Sequence, residues 1–361
     1  MSWTAWDDPA AESAAGQMLD GLVAAIVKAW GRHLEGVLVI GGFGRGEGSL
    51  LRTRRGGYRP WNDVDFILLR RTDSASPPDT HDCALRWAAD WGLDSVDLAW
   101  ASAADWRRSP RTLVHQEIRN GHRVAWGGPG EVERLPRALD AAVRVSEAHR
   151  LLANRGFGLL ISALSCDADS APPAHLPRCS ASFRLNARLK SDLALGDARL
   201  LAAGTLPLKY AERPAALTSL QAPGAVRKAH AEAVEHKLRP TEDWAEESRD
   251  FAAEAREAAG RWLEHGPLAL AGTDAAGYAG FVARQGTWRR RLRRALGGGS
   301  PRGLETAARL DASLPHLVAG LCRPGDWSAA PLAAMWPDRV RPGSAWDAAA
   351  ATLSAVWMEG K

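Results

Sequence analysis

The sequence predicts an α+β protein: an N-terminal α/β domain with a small mixed sheet over residues 1–130, followed by an all-α helical domain over residues 131–361. Three observations predict it. Short β-branched apolar runs bounded by Gly, Pro and Asp are confined to the first 130 residues. They alternate with helical periodicity in the order α–β–β–α–β, which buries a sheet against helices. After Gly127-Gly128-Pro129-Gly130 the chain turns Ala-, Leu-, Arg- and Glu-rich, with helical spacing and no convincing strand.

Taken in order, residues 10–33 carry Met18, Leu19, Leu22, Ile26 and Trp30 near helical spacing, closed by Gly31. Val37-Leu38-Val39-Ile40 is a short buried strand running into a tight turn at Gly41-Gly42. Val64 to Leu69 is a second strand. Residues 79–92 read as a helix through Cys83, Leu85, Trp87, Ala88 and Trp91. Residues 95–100 and 121–126 supply two more strands. Beyond the boundary, helices are expected over 134–165, 181–203, 223–238, 241–264, 275–296, 302–321 and 345–358. Ala171-Pro172-Pro173 and Gly297–Pro301 are among the breaks between them.

Composition narrows the class. At 361 residues, 46% hydrophobic and 24% charged, the chain is long enough for two globular domains. No run approaches the ~20 apolar residues that span a bilayer. The most apolar N-terminal stretch, Leu19 to Trp30, follows acidic Asp7, Asp8 and Glu12 rather than a basic leader. Cys83, Cys166, Cys179 and Cys322 lack zinc or disulfide spacing, so a reduced, cytoplasmic protein with no membrane partner is expected. Of the 46 basic residues 40 are Arg and six Lys, a coding bias that makes the net charge of +4 weak grounds for an anionic partner.

The chemistry is concentrated in Gly41-Gly42-Phe43-Gly44-Arg45-Gly46-Glu47-Gly48-Ser49 and in Asn62-Asp63-Val64-Asp65-Phe66. Residues i and i+2 of a strand point to one face, so Asp63 and Asp65 project together. Two carboxylates held this way repel unless a cation sits between them, and such oxygen ligands suit Mg²⁺. The alternative is an Asn-Asp turn opening an ordinary strand. The glycines let backbone N–H groups approach a phosphate, and Arg45 adds a forked positive charge. The run is neither a Walker A loop nor a dinucleotide fingerprint, because no Gly-Lys-Ser/Thr follows and Glu47 stands where the third glycine would fall. A third acid, Asp97, lies among Val96, Leu98 and Trp100 on a later strand. It either meets Asp63 and Asp65 or marks a strand end, and Asp94 competes with it from a turn-like context.

Gly-Gly-x-Gly-Arg-Gly-Glu, then Asp-Val-Asp-Phe, then a lone Asp on a later strand resembles the DNA polymerase β-like nucleotidyltransferase superfamily over residues ~20–130. The wording of the glycine run looks most like PII-protein uridylyltransferases, and a helical C-terminal domain also occurs in aminoglycoside nucleotidyltransferases. The resemblance implies an enzyme that moves an NMP from an NTP onto a hydroxyl of a small molecule or protein, releasing pyrophosphate. It implies that Asp63, Asp65 and Asp97 hold two Mg²⁺ ions, and that Gly41, Gly42, Gly44, Arg45 and Ser49 hold the nucleotide. Two other functions fit the same residues: a template-independent enzyme adding nucleotides to RNA, and an inactive nucleotide-binding regulator. From Gly42 to Asp63 the chain takes 21 positions, about twice the family's usual spacing. The excess is the basic stretch Leu51 to Pro60, a hairpin or loop beside the site that either covers a triphosphate, contacts an anionic acceptor or is simply solvated.

Weaker features carry bland readings beside sharp ones. Glu117, between His115 and His122, is a second base or part of an exposed face. Arg184, Arg188, Lys190, Asp192, Asp197 and Lys209 are helix-surface pairs or acceptor contacts. The run Arg289 to Arg294 is a solvated face or a phosphate patch, and without interleaved aromatics RNA is the less favoured partner. The Trp residues of the helical part belong to its core.

Overall fold

The computed structural model describes residues 2–71, 78–109, 111–164, 181–243, 250–272, 312–319 and a few positions between 329 and 353. The chain is a mixed α+β protein. Its contacts divide it into two compact units: residues 1–144, 204–216 and 234–247 form one, and 145–203, 217–233 and 248–361 the other. The division is therefore not a single cut after residue 130. The first unit runs on to Arg144 and takes up two later segments.

In the first unit, helix α1 (Pro9–Trp30) starts where the Asp8 carboxylate accepts from the Ala10 N–H and Pro9 presets the first turn. Its buried stripe is Ala11, Ala15, Met18, Leu19, Leu22, Ile26 and Trp30. The strands are β1 (Leu34–Val39), β2 (Leu50–Arg52), β3 (Tyr58–Pro60), β4 (Asp63–Arg70), β5 (Ser95–Ala101) and β6 (Arg123–Gly127). Between β1 and β2 lies one helical turn, α2 (Gly41–Arg45). Helix α3 (His81–Trp91) follows β4 and ends on Gly92 in the left-handed conformation. Helices α4 (Ala103–Arg108) and α5 (Leu113–Gly121), which periodicity did not anticipate, precede β6.

Four strands form one sheet in the order β5-β4-β1-β6, with β4 and β5 parallel and the other pairs antiparallel. The parallel pair flanks α3, the connection a parallel crossover needs. Both faces of the sheet are covered, so β4 reads as a continuous apolar run. Val37, Val39, Val64, Phe66 and Leu68 pack with α1 and with Trp87 and Ala88 of α3. Leu38, Ile67, Leu69 and Ala101 pack on the other face with Trp106, Ile118, Val132 and Leu135. The last two explain why the next helix, α6 (Ala141–Leu164), begins later than the expected 134: residues 132–135 seal the sheet instead.

The stretch 51–60 is a hairpin, β2 pairing antiparallel with β3. Two of its arginines pair with acids of the same unit, and its backbone is tied to residue 240. The Arg52 N–H donates to Pro240 O at 2.9 Å, Arg54 pairs with Asp243 at 2.9 Å, and Arg59 lies 3.9 Å from Glu242.

The second unit has helices joined by turns and no strand among its described residues. It comprises most of α6, helix α7 (Ala181–Ala203), parts of α8 (Arg213–Ser219) and α9 (Gly224–Leu238), then α10 (Phe251–His265) and α11 (Pro267–Ala271). Of the expected helix over 241–264, residues 242–243 are helical, 244–249 lie outside the described residues, and α10 starts at Phe251, where the Asp250 carboxylate accepts from the Ala253 N–H. Trp262 is completely buried as expected, its indole N–H donating to Leu152 O at 3.1 Å. The expected helix over 275–296 with the basic run 289–294, most of those over 302–321 and 345–358, and Cys166, Cys179 and Cys322 lie outside the described residues. No described helix is long and apolar enough to cross a membrane.

Candidate metal centre

Strand β4 places Asp63 and Asp65 on the face that carries Ile67 and Leu69 further along. At this end of the strand the apolar cover has run out, so the face is open to polar side chains. In the parallel register Asp63 lies opposite Ser95 and Asp65 opposite Asp97. Alternation therefore puts all three carboxylates at one point, with an oxygen from each within 4.8 Å of the others. Asp63 and Asp65 are partly buried and Asp97 is exposed. The Ser95 hydroxyl is 3.4 Å from Asp97 Oδ2. Asp94 belongs instead to the turn before β5, where its N–H donates to Asn62 O at 2.8 Å.

Charge is poorly balanced there. Burial, the Asp63 charge and the Asp97 charge together push Asp65 up to about 7, while Lys237 and Arg45 pull against them. The donor set fits a hard cation: all ligand atoms are carboxylate oxygens, and a cation bound at about 2.0–2.6 Å spans oxygens up to about 4–5 Å apart. A divalent ion also supplies the positive charge that the pushed-up Asp65 lacks.

Of the glycine run, Gly41 alone touches the carboxylates. Its φ is +64°, and a Cβ there would overlap the Asp65 carboxylate. Gly42 and Gly44 serve packing: Gly42 backs onto the Glu47 carbonyl, and a side chain on Gly44 would strike the Val39 and Gly121 carbonyls. The run is thus one helical turn of close approaches.

Arg45 lies behind this turn, its side chain only 7% exposed, 3.9 Å from Glu47 and 4.0 Å from Glu117. Its Nε has no hydrogen-bond partner among the described residues. Glu117 also meets Arg213 at 3.4 Å, so it belongs to an ion-pair cluster rather than to a solvated face. Ser49 donates its hydroxyl to Lys237 O at 2.6 Å.

Sequence reasoning missed Lys237, Arg213 and Tyr210. Arg45, Arg213 and Lys237 converge on the Tyr210 ring, at 5.3, 3.6 and 5.0 Å from its centroid. Burial, then the Arg45 charge, lowers the Lys237 pKa, and Asp63 and Asp65 oppose that shift. The buried Glu47 carboxylate accepts from the Tyr210 N–H at 2.9 Å and the Ala211 N–H at 3.0 Å, which brings this segment in. One signal was present: Lys237 is among only six lysines in a chain that otherwise uses Arg.

No protein-family model matches the chain, and no curated protein matches it either.

Proposed function

We propose that the first unit is a Mg²⁺-dependent nucleotidyltransferase, moving an NMP from an NTP onto an acceptor hydroxyl on a small molecule or protein with release of pyrophosphate. The observation that carries this reading is the meeting of Asp63, Asp65 and Asp97 at one end of the parallel β4–β5 pair, beside the glycine turn that ends β1. Asp63, Asp65 and Asp97 would hold the metal. Bound there, Mg²⁺ supplies charge stabilisation to the attacking and leaving oxygens of an in-line displacement at phosphorus.

The chain's own part is positioning and electrostatics. Gly41 leaves the space beside Asp65 that any side chain would fill. Asp97, the most exposed of the three, is the carboxylate best placed to accept a proton from an acceptor hydroxyl. Arg45 and Lys237 set a positive field behind the carboxylates, strong enough to act on the protonation of Asp65. Arg45 is engaged with Glu47 and Glu117, so its contribution here is that field rather than a fork onto phosphate. Two arginines of the 51–60 hairpin, Arg54 and Arg59, pair with Asp243 and Glu242, and this reading does not call on them.

The test is transfer of α-labelled NTPs in the presence of Mg²⁺ and a cell extract as acceptor source, with pyrophosphate followed in parallel. The wild type should label an acceptor, and Asp65→Asn should lose turnover by about 10²–10³-fold, as removal of a transition-state electrostatic group does. Asp65→Asn with wild-type turnover would overturn the assignment. Nucleotide binding without pyrophosphate release in the wild type would make the protein a nucleotide sensor instead.

A further inference from the structure

Asn62 precedes the first carboxylate and is one of two residues other than glycine, among those described, with positive φ, +67°. Asn tolerates the left-handed region better than most residues, and such a backbone is held only when its surroundings over-determine it. Two contacts do so. The Asn62 carbonyl accepts from the Asp94 N–H, tying the start of β4 to the residue before β5. The Asn62 side-chain amide donates to Asp63 Oδ1. The carbonyl thereby holds the register that puts Asp63 opposite Ser95 and Asp65 opposite Asp97, and the amide fixes which way the Asp63 carboxylate turns.

We infer that Asn62 is a positioning residue for the metal centre, acting through Asp63: its left-handed backbone aims the amide at Oδ1 and so pre-orients the carboxylate for a divalent cation. This rests on the reading of Asp63, Asp65 and Asp97 as metal ligands. The role follows from chemistry. A carboxylate that rotates freely loses orientational freedom when it binds a metal, and a donor already on one oxygen removes part of that entropic cost. Groups that orient ligands in this way typically change metal affinity by about 10–100-fold when removed. Glycine at position 62 adopts the same backbone without strain but has no amide. Alanine and serine both strain the backbone, and only serine keeps a donor.

The experiment is a titration of the full chain with Mn²⁺ alone, free Mn²⁺ being counted by electron paramagnetic resonance and folding checked by circular dichroism and thermal melting. Asn62→Gly should keep the fold and melting temperature close to wild type while binding Mn²⁺ about tenfold or more weakly. Asn62→Ser should bind more tightly than Asn62→Ala at equal loss of melting temperature. Asn62→Gly with wild-type affinity overturns the role of Asn62 and leaves the metal centre standing. Should Asn62→Gly fail to fold, the Ser–Ala pair decides alone, and equal affinity of that pair overturns the role. Wild-type protein that takes up no Mn²⁺ overturns both this inference and the metal centre.

Discussion

Asp65 in the α/β unit and Asp192 in the helical unit are both carboxylates drawn out of water, and burial raises the pKa of each. Their partners differ. Arg261 forks onto Asp192, Nε to Oδ1 at 3.1 Å and Nη2 to Oδ2 at 3.0 Å, with Arg188 at 3.9 Å as a second cation. Around Asp65 the nearest charges of consequence are Asp63 and Asp97, and the opposing Lys237 and Arg45 do not offset them. A buried carboxylate with two guanidinium partners fastens a helix pair. One that faces its own kind costs stability and is ready for a cation the chain itself does not provide. The difference separates a structural ion pair from a candidate cation site in one molecule, though both are Asp residues among apolar neighbours.

The sharpest way to break this comparison is the same substitution at both places. Asp192→Asn removes a charge from between Arg261, which keeps Glu257, and Arg188, which keeps Glu232 and Glu254. It should cost about 1.5–3 kcal/mol, the usual worth of charge-assisted hydrogen bonds. Asp65→Asn relieves repulsion, so the metal-free protein should melt at the same temperature or higher while turnover disappears. Scanning calorimetry of the two variants decides. Equal destabilisation would make the Asp65 cluster as structural as the Asp192 pair.

The second test is pH. Asp65 titrates near 7 in the fold against an ordinary 3.8, so between those values the folded protein holds a proton that the unfolded chain has released. Stability from this group is therefore full below about pH 4 and is lost as pH rises towards 7 and beyond. The span of about 3 pKa units at about 1.4 kcal/mol each sets a ceiling near 4 kcal/mol. Melting temperature of the metal-free protein should fall over this range, Asp65→Asn should flatten the fall, and Mg²⁺ should restore stability at pH 8 but not at pH 4.5. A Mg²⁺ effect equal at both pH values would sink the explanation.

The smallest effects come from two glycines. Gly41→Ala forces a Cβ onto the Asp65 carboxylate at a positive φ and should cost about 1–2 kcal/mol together with Mn²⁺ affinity. Gly158→Ala, within the helix Ala141–Leu164 and with nothing near a new Cβ, should stabilise by about 0.5–1 kcal/mol. Urea unfolding of the pair measures both, and matching signs would contradict the packing described for Gly41.

Local pattern carried much of this structure. The apolar run after Asp63 fixed β4, and uninterrupted helical spacing fixed the helix Ala181–Ala203 at its observed ends. The carboxylate cluster was legible because strand alternation and a parallel neighbour are short-range rules that need only Asp63, Asp65 and Asp97. The acidic neighbours of Arg45 were not legible, because a glycine turn with an arginine in it does not disclose that Glu47 and Glu117 lie beside that arginine. The return of residues 204–216 and 234–247 was beyond pattern for a related reason. It depends on the Glu47 carboxylate meeting two backbone N–H groups, the Ser49 hydroxyl meeting a carbonyl, and Thr241 pairing with Arg52. Backbone groups look alike in every sequence.

The Glu47 contact also dictates an order of events during synthesis. Glu47 is buried, and the amides that satisfy it come from residues 210 and 211, with residues up to 247 completing the same unit. On a ribosome adding about 5–20 residues per second, the sheet is made and then waits several seconds or more for its last segments, while residues 145–203 and 217–233 of another unit are added. Throughout that wait a carboxylate and the β2–β3 hairpin stand without their partners. The nascent chain thus passes through an interval in which its α/β unit is written but not yet closed, and that interval is where a chaperone would have most to protect.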